Sequence, residues 1–331
     1  MCARLSSLGI FEPGPVSPPH NRESGVMDAV VVIEELARTA PCLASALVEH
    51  NFFFRRHMMT FGRPRQGEKF LACPARNADL GSWCPAQAAA LAGHRHPPTR
   101  AERLGGAWIV NGSQVVMNSV PPAEWMIITA VTDASRGGEG VSAFILERSM
   151  PGLLREAALR SKRRSDPASE RLVLRDVVVP EANMVGEEGQ GLRSARRVLE
   201  AGRIYWAAAS LGLAEAALET GFGLGEAKDL SVKASDSRGR IQGALAERII
   251  DLQTAKIQVY RAALMNDRGL DTIRETSSAA ARAADLVLKS VNFSARLKLK
   301  AGWPRNTAVE FKRGAAAVER WRIIEKILAN D

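Results

Sequence analysis

Apolar positions along the chain change period twice, and the changes divide it into three blocks. Residues 25 to 76 follow a helical period, with Val32, Leu36, Leu43, Leu47 and Phe54 on one apolar face and Pro41 and Gly62 as punctuation. Between residues 77 and 186 the period shortens to short β-branched runs at Ile109-Val110, Val115 to Met117, Met126 to Thr132 and Val141 to Glu147, separated by Gly, Pro, Asn and Asp. From residue 187 onward, Ala- and Leu-rich helical stretches return at 190–220, 240–267, 274–300 and 310–329, with 222–239 as the clear break. The pattern predicts an α+β multidomain chain: a helical N-terminal domain (25–76), a small β-barrel or sandwich (77–186), and a C-terminal four-helix bundle (187–331). Pro13, Pro15, Pro18 and Pro19 mark residues 1–24 as a mobile tail.

The join between the second and third blocks is the most structured stretch of sequence. Leu172, Leu174, Val177 and Val179 predict a half-buried strand with an irregularity near Asp176, and Pro180 ends it. Met184-Val185-Gly186 closes the connection, and Gly189 and Gly191 flank the entry to a helix with Leu192, Ala195, Leu199 and Gly202 at helical spacing. No G-x-G-x-x-G opens a helix after a strand, so a parallel nucleotide-binding sheet is not indicated.

Composition narrows the picture modestly. The 331 residues carry a formal net charge of +9, which favours an acidic or phosphate-bearing partner, but the arginine runs at Lys162 to Arg164 and Arg196-Arg197 are too short for a nucleic-acid arm. Cys2, Cys42, Cys73 and Cys84 form no C-x-x-C pair, so neither a zinc site nor a disulfide framework is expected, and a reducing cytosol is the default. His94-Arg95-His96 runs straight into Pro97-Pro98 and reads as a loop rather than a metal site. No apolar run reaches the roughly 20 residues of a membrane span.

Several ordered motifs resemble the acyl-CoA dehydrogenase family. Residues 170–203 resemble its L-x-F-x-D-V-x-V-P strand, G-x-x-G-x-G corner and G-R helix. Ala107 to Gly112 is similar to its G-Y-V-L-N-G hairpin, Val141 to Leu146 to its G-I-S-A-F-I-V strand, and Ile241 to Glu247 to its I-Q-x-x-L-A-D helix start. The resemblance runs from about Asp28 to about Ile327, and the chain reads as a member shortened at both ends. It implies FAD as cofactor, α,β-dehydrogenation of an acyl-CoA or acyl-carrier thioester, and assembly as a dimer or tetramer.

Carried over residue by residue, the resemblance places flavin contacts at Trp83, Gln87, Asn118, Ser119 and Lys228. The same register puts Ala86 and Ala92 where the family's flavin loop has threonine and serine, Val116 where it has tryptophan, and Ser231 where it has phenylalanine. Lys228 replaces an arginine, keeping the charge without the bidentate fork. Arg203 falls near the family's acyl cavity. The usual glutamate base falls just past Asp331, which becomes a surrogate; the alternative base position falls on Gly202, and Glu200 points round the helix from it. Two readings stay open: a working flavoenzyme, or a non-catalytic subunit beside a homologous catalytic chain. Nucleic-acid binding is a remote third.

Overall fold

A computed structural model describes residues 25–71, 80–84, 99–116, 123–157, 170–226 and 235–296. The described residues fall into two compact units, 45–202 and 25–44 with 203–296. The architecture is the predicted one: helices, then a β-domain, then long helices.

In the unit spanning 45–202, helix α2 (Pro41–Leu47) runs into a π-helix (Val48–Arg55), followed by α3 (Arg56–Phe61) and α4 (Pro64–Phe70). The β-domain comprises β1 (Gly81–Cys84), β2 (Arg100–Leu104), β3 (Ala107–Val116), β4 (Trp125–Val131), β5 (Val141–Glu147), β6 (Leu153–Ala157), β7 (Glu170–Pro180) and β8 (Met184–Val185). They form one sheet in the order β6-β7-β3-β2-β4-β5-β8, with β1 pairing in parallel to β4 off that path. Trp108, Val110, Met126, Ile128, Phe144, Leu172 and Val177 belong to its buried core.

The expected irregularity in β7 is a bulge. The β3–β7 register shifts at Asn111, and Asp176 takes φ +48°, a left-handed value rare outside glycine. Two reciprocal hydrogen bonds hold it: Asn111 Nδ2 donates to Asp176 Oδ1 (2.9 Å), and Asp176 N–H donates to Asn111 Oδ1 (2.8 Å). The extra residue shifts the buried set from Leu172 and Leu174 to Val177 and Val179, so both halves of the strand face the core. Beyond it, β8 and the corner at Gly186 and Gly189, both at positive φ, lead into α5 (Gly191–Glu226).

In the other unit, α1 (Val26–Thr39) accompanies the long helices α5, α6 (Ser235–Asp267) and α7 (Ile273–Arg296). The fourth helix expected at 310–329 lies outside the described residues. The expected face of α1 is corrected: Val32 is 48% exposed and Leu36 half-buried, and the buried positions are Val30, Ile33, Glu34 and Ala37. Apolar periodicity missed this face because it carries a carboxylate. Glu34 is buried because Lys256 Nζ reaches its Oε1 at 2.6 Å and Tyr260 OH donates to its Oε2 at 2.9 Å, both from α6. Gly212 of α5 completes the contact, since a β-carbon there would strike the Glu34 carbonyl oxygen.

Lys256→Met leaves the buried Glu34 carboxylate with the Tyr260 hydroxyl as donor, and is expected to lower stability by about 2 kcal/mol. Adding Glu34→Gln should recover part of that loss, and urea unfolding of both singles and the double variant measures the coupling.

Candidate functional site

Strand β1 has a sheet neighbour, β4, on one side, and side chains of the π-helix serve its other edge. Gly81 N–H donates to His50 Nδ1 (2.8 Å), and Trp83 N–H donates to Glu49 Oε2 (3.3 Å). These are alternate residues of one strand edge, so consecutive residues Glu49 and His50 take the place of a missing strand. Ser82 Oγ donates to the same Glu49 oxygen at 3.3 Å.

This arrangement sets the charge states. Burial pushes the Glu49 carboxyl up to about 8, outweighing the hydrogen bonds from Trp83 and Ser82 that favour the anion. Burial, with Arg55 nearby, pushes His50 down to about 3, consistent with a neutral ring whose Nδ1 lone pair accepts from Gly81. Burial likewise lowers His57 to about 3. His57 Nε2 lies 3.1 Å from Ser194 Oγ, and that hydroxyl donates to the Gly191 carbonyl (2.9 Å), so the ring donates through Nε2–H and leaves Nδ1 as a bare acceptor. Burial also raises the Cys84 thiol.

Trp83, expected to contact flavin, sits at the centre of this cluster. It is buried, with its ring stacked on Phe53 (centroids 5.2 Å apart, planes at 25°) and tilted against His57 (6.5 Å). Those contacts hold the indole within the packed interior of this unit. Its Nε1, like His57 Nδ1, has no hydrogen-bond partner among the described residues. Gln87, Asn118, Ser119, Lys228 and Asp331 lie outside the described residues, as do His94 and His96. Arg203 is buried in the other unit, where its Nη1 donates to Ser277 Oγ of α7 at 3.1 Å. Among the described residues no group of three side chains is placed to hold a metal ion, and no helix is long and apolar enough to cross a membrane.

Gly202, where the resemblance puts the alternative base, has a packing reason for its identity. A β-carbon there would come within 2.3 Å of the edge of the Phe53 ring, so a larger side chain at 202 and the phenylalanine as packed exclude each other.

Sequence reasoning missed Glu49 and His50. Their signal was present: Glu49, His50 and His57 lie among the apolar residues Leu47, Phe53, Phe54 and Met58, where a polar side chain must find a partner if buried. A helical period did not reveal it, because the backbone winds as a π-helix and shifts the facing residues.

A carboxyl ionising near 8 in the folded chain and near its ordinary ~4.3 when unfolded makes the native state bind the extra proton between those values. Glu49 therefore favours folding below that window, and the contribution is lost as pH rises towards 8. Relative to Glu49→Gln, the wild type should lose on the order of 3 kcal/mol between pH 5 and pH 8.5 in urea unfolding; a difference that does not change with pH would mean Glu49 is ionised throughout. Gly202→Ala overpacks the Phe53 ring and should cost about 1–3 kcal/mol, with Phe53→Leu in the same chain recovering much of it.

No family model matches the chain. The short-chain-specific acyl-CoA dehydrogenase of Clostridium acetobutylicum is 27% identical over 288 residues, covering 84% of this chain and 76% of that protein. The short-chain-specific enzyme of Megasphaera elsdenii is 29% identical over 267 residues, covering 80% and 69%. Among solved structures, the butyryl-CoA dehydrogenase of Megasphaera elsdenii matches with a TM-score of 0.82 at 25% identity, over 99% of this chain and 89% of that one. In sequence and in fold together, over most of its length, the chain is similar to acyl-CoA dehydrogenases.

Proposed function

We propose that the chain is an acyl-CoA dehydrogenase-type flavoprotein whose chemistry is the FAD-dependent α,β-dehydrogenation of an acyl thioester. The observation that carries this reading is the likeness to butyryl-CoA dehydrogenase over nearly the whole chain, in sequence and in fold together. FAD, when bound in such a protein, accepts the β-hydrogen as hydride, and the protein's task is to hold the thioester and receive the α-proton. Arg203 is assigned to the acyl side of that site, and Gln87, Asn118, Ser119 and Lys228 to the flavin. The acyl chain is short, by analogy with the relatives named above.

A second reading has its own support. With Phe53 filling the space beside Gly202, the alternative base position is closed in this chain. That favours a subunit that keeps the scaffold and works beside a homologous catalytic chain.

The visible spectrum of the purified protein separates the two. Absorbance near ~450 nm, the flavin band, that bleaches on anaerobic addition of butyryl-CoA is the outcome expected of the enzyme. A protein that stays colourless with excess FAD, or a flavin that bleaches only when a longer homologue is added, would move the chain to the second reading.

A further inference from the structure

Asn111 stands directly before Gly112 in β3, the one Asn-Gly pair in the chain. At such a pair an asparagine side chain cyclises most readily, because glycine puts no side chain over its own backbone nitrogen. The Gly112 nitrogen attacks Asn111 Cγ, the Cγ–Nδ2 bond breaks, and Nδ2 leaves as ammonia with the Gly112 amide proton. Water then opens the five-membered imide at either carbonyl, giving aspartate or isoaspartate; no oxidant or other reactant is needed. Asn111 is exposed, so water reaches it.

Asp176 stands in the way. Attack requires the Asn111 amide to turn its carbon towards the next residue, and both ends of that amide are tied across to β7. Nδ2 donates to Asp176 Oδ1 at 2.9 Å, and Oδ1 accepts from Asp176 N–H at 2.8 Å. The holding is mutual, since the same two bonds support the one non-glycine residue at positive φ among the described residues. We propose that Asn111-Gly112 is a latent deamidation site kept closed by Asp176, and that its conversion releases the β7 bulge. The product carries an oxygen where Nδ2 had donated, so two carboxylates face each other at hydrogen-bond distance with no proton between them. The isoaspartate product also adds a backbone atom to β3, whose pairing with β2 on one side and β7 on the other is set residue by residue. This holds whether or not the chain binds flavin.

Peptide mapping of the full chain, incubated in mildly alkaline buffer, tests it by mass spectrometry. Deamidation adds about 1 Da to the peptide that holds residue 111. The folded wild type should gain that mass about tenfold more slowly than the same chain in urea. Asp176→Gly keeps the left-handed backbone and removes the latch; its folded form should convert about tenfold faster than the folded wild type. Asn111→Asp stands for the product and should raise the unfolding constant in urea about tenfold at neutral pH. Adding Asp176→Asn puts an amide opposite a carboxylate again with the roles exchanged, and should recover most of that loss. Equal rates in the folded and urea-unfolded wild type overturn the proposal, as does a folded Asp176→Gly variant no faster than the wild type. An Asn111→Asp variant as stable as the wild type overturns the release of the bulge. Should Asp176→Gly not fold, the exchanged pair still decides, and a double variant no more stable than Asn111→Asp overturns the role given to Asp176.

Discussion

The unit spanning 45–202 depends on how the free edge of β1 is satisfied. A strand bonded to a neighbour on one side presents backbone N–H groups on the other, and inside a protein each must find an acceptor. Here the acceptors are two consecutive side chains, Glu49 and His50, held at strand-like spacing by a π-helix. Both charge states follow from that service. His50 offers a lone pair, so it is neutral, and Glu49 is buried, so it keeps its proton to about pH 8. With the carboxyl protonated, the oxygen that receives Trp83 N–H and Ser82 Oγ–H is the carbonyl, and the proton rides on the other. The aromatic cluster of Phe53, Trp83 and His57 then packs on a strand that is already pinned.

What was legible in the sequence follows from the same physics. The β7 bulge was readable, because a one-residue shift moves the buried parity from Leu172 and Leu174 to Val177 and Val179, and that leaves a trace in apolar spacing. Strand β2, Arg-Ala-Glu-Arg-Leu, was not, since Ala101 is its sole buried side chain. Strand β1 is four residues long and buried throughout, so it has no alternation to detect. The face of α1 was misread because a carboxylate lies on its buried side, and only its partners on α6, more than two hundred residues away, make that burial tolerable. For the candidate site, motif register singled out Trp83 and Arg203 by position and said nothing of their surroundings. A register gives position along a strand or helix; whether a ring faces a ligand or a neighbour such as Phe53 is decided by packing.

Glycine at 202 shows how packing and chemistry constrain each other. The residue at 202 has no side chain, and the volume one would need is taken by an aromatic ring. Neither change is tolerable alone. A glutamate beside Phe53 collides with it, and a glycine without the phenylalanine leaves a cavity that costs several kcal/mol for a lost aromatic side chain. The pair is therefore locked, and a carboxylate could enter at 202 only together with a smaller residue at 53.

Scaffold and cofactor contacts rest on different atoms. The β1 edge, the Asn111–Asp176 bulge and the Gly212 approach are made by backbone groups and by side chains facing the interior. The positions at which this chain departs from the family, Ala86, Ala92 and Val116, are ones whose hydroxyls or ring serve the flavin in the resemblance. In the resemblance, each lost hydroxyl would remove a hydrogen bond of about 1 kcal/mol to the ligand. Affinity for a cofactor falls tenfold for each 1.4 kcal/mol, while the interior contacts that fix β1 and α5 are untouched. Substitutions at the positions where the resemblance puts flavin donors would thus weaken a cofactor's hold while leaving the buried contacts of β1 and α5 in place.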